Sequence, residues 1–118
     1  MRVKEALADA ACRAAAGYLK DCGLRILDQN WRCDTEILPL IAAEDGTLVI
    51  IDLRVRAGTR YDAPLGAIGT TRRRAMRRLA SRWQALHGVR FEQIRIDAVG
   101  LLQDSTGGFT IEHIRAVG

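Results

Sequence analysis

The order of helical and strand patterns in this 118-residue chain predicts an α/β fold with one central mixed sheet flanked by helices. Apolar residues recur at helical spacing in two segments, and five other segments have strand composition, in the order helix, three strands, helix, two strands. A short turn joins two of the first three strands, which predicts an antiparallel pair, whereas the second helix predicts a crossover to a parallel neighbour. We therefore expect a single domain over residues 1–118 with a five-stranded sheet.

The first helix is predicted over residues 3–22, where apolar side chains return every three or four positions. Gly23 follows and is expected to end the helix in a left-handed turn. Residues 24–27 have the pattern of a short strand, and residues 28–30 have the composition of a turn.

Two apolar strands follow over residues 36–42 and 47–55, separated by an acidic connection that ends at Gly46. Pro39 lies inside the first of them and has no N–H group to donate to a neighbouring strand. This strand is therefore predicted to lie at a sheet edge or to be bulged at Pro39.

The second strand of this hairpin carries Asp52, Arg54 and Arg56 on one alternating side. A carboxylate followed by a cation at the end of a buried strand is the layout of a metal-dependent phosphodiesterase, in which the acid helps to hold a divalent cation. The same pattern also fits a strand whose end emerges into water. Both interpretations stay open on this strand alone.

Residues 57–70 form a long loop pattern, and Thr70 or Thr71 is a candidate cap for the second helix, which Gly88 ends. Six arginines lie in this helix: Arg72, Arg73, Arg74, Arg77, Arg78 and Arg82. Eighteen Lys and Arg against fourteen Asp and Glu give the chain a formal net charge of +4. The cluster favours an anionic partner held through bidentate phosphate contacts, and a merely solvated helix face is the alternative.

The last two strands are predicted over residues 94–102, around Asp97, and 109–114. His87 and His113 are expected to be polar surface residues. The spacing of the three cysteines matches no common zinc pattern and indicates buried thiols. Neither a membrane-spanning run nor a secretory signal is apparent, so we expect a cytoplasmic protein.

Residues 23–33, the apolar hairpin after them and residues 52–56 together resemble the YraN-like family, uncharacterised protein family 0102. These small bacterial proteins are similar in fold to Holliday-junction resolvases and restriction endonucleases. The resemblance covers nearly the whole chain, because the basic helix and the Asp97 strand also follow in the family's order. It implies a restriction-endonuclease-like fold.

The family's pattern resembles a nuclease metal site, in which an Asp and a Glu ligate the metal and a Lys faces the phosphate. Carried onto this chain, Asp52 takes the place of that Glu, Arg54 that of the Lys, and Pro39 that of the Asp. Glu36 matches an upstream Glu of the family only after a one-residue shift, without which Ile37 occupies the position. The resemblance thus implies a degenerate site.

The family also has an early Glu, six residues before a tyrosine, where this chain has Cys12. With that change as well, we expect no metal ligand set and no cofactor. Magnesium or manganese would be needed only if cleavage persists.

Three functions follow from these observations. The first is binding of DNA or RNA without efficient cleavage, with phosphates contacted by Arg54, Arg56, Arg60, Arg72, Arg73, Arg74, Arg77 and Arg78. The second is a divalent-metal-dependent endonuclease built on Glu36, Asp52 and Arg54, aided by Asp34 or Asp97. The third is a protein-interaction or structural module, with a homodimer as one form of it.

Overall fold

The computed structural model describes residues 3–57 and 65–118. Its elements are α1 (Val3–Asp21), β1 (Arg25–Cys33), β2 (Glu36–Glu44), β3 (Thr47–Ala57), α2 (Thr70–His87), β4 (Gln93–Gln103) and β5 (Phe109–Ile114). The strands form one sheet in the order β1-β2-β3-β4-β5, in which only the β3–β4 pair is parallel. The predicted mixed five-stranded sheet flanked by helices is confirmed, and the arrangement is consistent with a restriction-endonuclease-like fold.

The two helices pack on opposite faces of the sheet, and β3 contributes alternate side chains to each face. Val49 and Ile51 belong to the cluster around Leu19 of α1, whereas Ile50 belongs to the cluster around Met76 of α2. The predicted alternation in β3 is therefore confirmed. It places Asp52 and Arg54 on the α2 face of the sheet.

Both helices end as predicted, at glycines in the left-handed region. Gly23 has φ +95°, and the N–H of Leu24 reaches back to the carbonyl of Leu19 at 3.0 Å. Gly88 has φ +63°, with an equivalent bond into the last turn of α2. These are Schellman-type ends, which satisfy carbonyls that the helix itself leaves without a partner.

The start of α2 differs from the prediction. Gly69 is the N-cap, with extended φ −70° and ψ 157°, and no side chain caps the helix. Thr70 and Thr71 already lie inside the helix, so neither has the extended backbone from which a cap side chain reaches the first free N–H groups.

The predicted turn at residues 28–30 is wrong, because β1 continues through it to Cys33. The register shifts between Ile26 and Asp28, so the strand holds one extra residue. Asn30 has φ +51° and faces Pro39, between the pairs that flank it. Residues 28–30 have a composition that is common in turns, but here they follow a bulge and include a left-handed backbone position. Local composition alone does not distinguish these irregularities from a turn.

Pro39 does not mark a sheet edge, because β2 lies between β1 and β3. The predicted alternative was a bulge at Pro39, but the register with β1 shows no shift there, since Leu38 pairs with Trp31 and Leu40 with Gln29. Leu38 packs with the α2 cluster and Leu40 with the α1 cluster, although residues two apart normally share a face. Pairing of β2 with β3 also ends at Leu40 and Ile51, so Pro39 is not required to donate to β3.

Neither of the helices in the described ranges is both long and apolar enough to cross a bilayer.

Candidate nucleic-acid interface

Asp52 lies near the end of β3, 7% exposed, with guanidinium groups on both of its oxygens. Its Oδ2 is 3.6 Å from Arg54 Nε, and its Oδ1 is 3.8 Å from Arg72 Nε at the start of α2. Arg54 also donates to the carbonyl of Ala67 at 2.9 Å. The structure thus brings Asp52 and Arg54 together, and it adds Arg72.

Glu36, the first residue of β2, contacts a different part of α2 from Asp52. Its Oε1 accepts a hydrogen bond from Arg78 Nη2 at 2.8 Å, and this bond raises the pKa of Arg78. Arg72 and Arg78 are separated by about 9 Å along the helix at 1.5 Å per residue. Glu36 and Asp52 therefore pair with different turns of α2.

The described residues do not fit a magnesium or manganese site. Within residues 3–57 and 65–118, no group of three or more His, Cys, Asp or Glu side chains could hold a metal ion. A small hard dication needs several oxygen ligands, whereas the oxygens of Asp52 face two cations. Asp34 is an exposed residue of the β1–β2 turn, and Asp97 faces α1 on the other side of the sheet.

Pro39 explains part of this lack of oxygen donors. The last β2–β3 pair is Leu40 with Ile51, so the next position on each strand is Pro39 and Asp52. A carboxylate at position 39 would be next to Asp52, but proline supplies no side-chain ligand there.

The exposed surface of α2 carries positive charge with little compensation. The helix contains no acidic residue. Apart from Arg72 and Arg78, the side chains of its four other arginines make no hydrogen bond or ion pair with any described residue: Arg73, Arg74, Arg77 and Arg82. Residues four apart lie on one side of a helix, so Arg74, Arg78 and Arg82 form one row and Arg73 and Arg77 a second. We call these five residues the arginine face of α2.

Two further residues were predicted to contact phosphates, Arg56 and Arg60. Arg56 is half-buried near the end of β3, on the same alternating side as Arg54. Arg60 lies outside the described residues.

The prediction that His113 is a surface residue is wrong, because its side chain is 5% exposed between β4 and α1. Its Nε2 is 2.9 Å from Oδ2 of the completely buried Asp97, and its Nδ1 is 3.3 Å from the Tyr18 hydroxyl. Arg95 binds Asp97 through two nitrogens at 2.8 and 3.1 Å, and the N–H of Ala116 donates to it at 3.0 Å. The sequence did contain a signal for these contacts, namely an aspartate within an apolar strand. A buried carboxylate requires hydrogen-bond or charged partners.

Two opposing effects act on the Asp97 carboxyl. Burial raises its pKa, but hydrogen bonds from Arg95, Ala116 and His113 favour the charged form, and the resulting pKa lies below the usual aspartate value. Glu44 accepts from Arg115 and Arg95, which lowers its pKa as well. This cluster ties β2, β4 and β5 together on the α1 face, away from the arginine face.

The predictions for His87 and for two of the three cysteines are confirmed, and the prediction that Cys22 is buried is wrong. His87 is partly exposed at the end of α2, as expected, and stacks on Trp83. Cys12 and Cys33 are buried thiols, whereas Cys22 is exposed because it lies in the turn after α1. All three are free.

Comparison with known proteins shows one family. The model of "Uncharacterised protein family UPF0102" matches residues 11–101. A "UPF0102 protein" of Arthrobacter sp. is 37% identical over 118 residues, and one of Beutenbergia cavernae is 35% identical over 118 residues, each covering 100% of both chains. A relative from Frankia casuarinae is 37% identical over 115 residues, 98% of both chains. The chain therefore belongs to the uncharacterised protein family UPF0102, the family that the sequence resemblance indicated.

Proposed function

We propose that the protein is a cytoplasmic nucleic-acid-binding protein whose arginine face contacts phosphates without efficient cleavage. The observation that carries this proposal is the composition of α2, which holds six arginines and no acid. Guanidinium groups bind phosphate oxygens through two parallel hydrogen bonds, and they stay charged at every physiological pH. Met76, Leu79 and Trp83 pack α2 onto the sheet, so the arginines project from a rigid support.

The surroundings of Asp52 support binding over cleavage. Cys12 Sγ lies 3.6 Å from the carbonyl of Pro39, and Pro39 and Asp52 are the next residues on their strands after the Leu40–Ile51 pair. These are three of the positions at which the chain departs from the family's metal-site pattern. Each departure removes or shortens a carboxylate, so the chain keeps fewer of the oxygen donors that a divalent cation needs.

The proposal is tested by comparing two double variants that change the net charge equally. Arg74→Gln with Arg82→Gln removes two charges from the arginine face, whereas Arg13→Gln with Arg25→Gln removes two exposed charges from α1 and the start of β1. We expect fluorescence anisotropy to show that DNA affinity falls steeply with salt, because phosphate contacts release counterions. Only the first variant should lower the slope of log K against log salt, by about 2.

Equal slopes for the two double variants would contradict the proposal, because the charge effect would then not depend on position. So would a wild-type affinity that stays the same between about 50 and 300 mM salt.

Cleavage by a metal-dependent site is the second candidate, because Asp52 and Arg54 retain a carboxylate beside a cation. Incubation with branched DNA and manganese, analysed on a denaturing gel, decides between the two. We expect no product from the wild-type protein. Product that disappears in Asp52→Ala would establish the endonuclease instead.

A further inference from the structure

A groove of about 510 Å³ lies beside the arginine face, between α2 and the segment that enters β4. One wall is α2, with Arg77, Ser81 and Gln84, and the other is the connection that carries Arg90 and Phe91. Arg77, Ser81 and Arg90 are exposed, and Phe91 is half-buried. The groove therefore combines an aromatic ring with cationic walls.

Gln84 is a buried polar residue of this groove whose hydrogen-bonding capacity is not fully used. Gln84 is 8% exposed, and its Oε1 accepts a hydrogen bond from the N–H of Phe91 at 2.7 Å. Its Nε2 carries two N–H donors but makes one long bond, 3.4 Å, to the carbonyl of Ala80. Among the described residues, the second donor has no partner, and an unmade bond at a buried amide is unfavourable.

The two arginines in the groove walls have no ion-pair partner among the described residues. Neither Arg77 nor Arg90 forms an ion pair with any residue of the described ranges. The one carboxylate that lines the groove belongs to Glu92, and it lies against Gly46 of the β2–β3 turn. Anions are therefore attracted to the arginine walls and repelled at the Glu92 end.

We infer that the groove binds an unpaired base of single-stranded nucleic acid, with the ring of Phe91 as stacking surface and the free N–H of Gln84 as donor to a base carbonyl. Arg77 and Arg90 then contact the phosphates on either side of that base. Proteins that bind single strands combine base stacking on aromatic side chains with a positively charged track for the backbone. A paired base cannot enter, since its faces are covered by its neighbours in the stack.

This inference rests on the proposed function and narrows it to single strands. Phe91→Leu keeps an apolar side chain but removes the aromatic face. We expect it to weaken binding of a short oligothymidylate about tenfold, because stacking on one aromatic residue contributes on this scale. Binding of a duplex of the same length should stay within about twofold, because the duplex uses the arginine face alone.

Arg90→Gln is the second variant, at an exposed position where folding is not at risk, and Arg13→Gln is its matched control on α1. Arg90→Gln should weaken oligothymidylate binding and lower its salt slope by about 1, whereas Arg13→Gln should not. In the wild-type protein, the NMR signal of the Gln84 side-chain amide should shift when oligothymidylate is added.

The inference is overturned if the Gln84 signal does not move, or if Arg90→Gln and Phe91→Leu bind oligothymidylate as the wild type does. If the double variant Arg74→Gln with Arg82→Gln still loses DNA affinity in that case, the proposed function stands without the groove. If that variant also binds normally, both ideas fail together.

Discussion

Asp97 is the polar residue on which most of the α1-face contacts converge. Its two oxygens accept from Arg95, His113 and the N–H of Ala116, and it is completely buried. Nε2 of His113 faces the carboxylate and is therefore the donor of that bond, and Nδ1 on the other side of the ring lies 3.3 Å from the Tyr18 hydroxyl. Asp97 thus links β4 to β5, and His113 extends this link to Tyr18 of α1.

Removing the charge of Asp97 should destabilise the fold. We expect Asp97→Asn to lower the free energy of unfolding by about 3 kcal/mol, since it leaves Arg95 without its closest counter-charge in a buried site. Urea denaturation measures this loss. Asp45→Asn, the same chemical change at an exposed turn residue, should stay within about 0.5 kcal/mol of the wild type. Equal losses in both variants would show that the buried network contributes nothing specific.

Acid should destabilise the protein through the same residue. The pKa of Asp97 is lower in the folded state than its usual value, so the charged form contributes stability above about pH 4, the unfolded aspartate pKa. That contribution is lost as the pH falls through the lower folded pKa. In urea denaturation at decreasing pH, the wild type should therefore lose its advantage over Asp97→Asn below about pH 4. A difference independent of pH would contradict this assignment.

Substitution of Asp52 distinguishes phosphate binding from metal-dependent cleavage. Its carboxylate offsets charge on Arg54 and Arg72, so removing it leaves more positive charge for phosphates. Asp52→Asn should bind DNA about two- to fivefold more tightly at low salt, an effect that screening reduces at high salt. Weaker binding measured by anisotropy would indicate that Asp52 instead holds a ligand or a metal.

At the scale of single elements, local sequence predicted where the helices end but not how far β1 extends. Gly23 and Gly88 ended the helices as predicted, because a left-handed residue is a local backbone requirement that glycine satisfies. Asn30 met the same kind of requirement inside a strand, where only the pairing with β2 shows that the chain continues. Turn-forming composition therefore predicted a backbone irregularity without predicting its context.

Two Gly→Ala substitutions, one at a helix end and one inside a helix, should change the free energy of unfolding with opposite signs. Gly88→Ala should lower the free energy of unfolding by about 1 kcal/mol, since a Cβ at φ +63° is strained although no atom lies within 4 Å of it. Gly17→Ala, inside α1 with equally open surroundings, should raise it by up to about 1 kcal/mol through helix propensity. Thermal unfolding followed by circular dichroism gives both values. Changes of the same sign would contradict the backbone explanation.

At the scale of the whole molecule, the sheet separates two polar systems with different charge balance. On the α1 face, the carboxylates of Glu44 and Asp97 are paired with Arg95 and Arg115, and these charges compensate one another. On the α2 face, Glu36 and Asp52 offset only part of the arginine charge. Among the described residues, uncompensated positive charge is thus concentrated on the α2 face, which is the basis for the proposed binding of polyanions.

Ligand binding to that side should stabilise the whole fold. DNA at about 100 times its dissociation constant should add about 2.7 kcal/mol to the free energy of unfolding, because only the folded state presents the arginine face. For a chain of this size the melting temperature should rise by roughly 10 °C, as measured by differential scanning calorimetry. Arg74→Gln with Arg82→Gln should show a smaller rise at the same DNA concentration. An unchanged melting temperature in saturating DNA would refute folded-state binding.

The sequence by itself determined the element order, the helix ends, the alternation in β3 and the concentration of arginine on one helix. Each of these depends on the periodicity or backbone freedom of residues close together in the chain. Only the tertiary structure decided that Glu36 pairs with Arg78 and Asp52 with Arg72, that His113 is buried against Asp97, and that Gln84 lines a groove. These relations join residues that are distant in sequence, so they follow from how the helices lie across the sheet and from no local pattern.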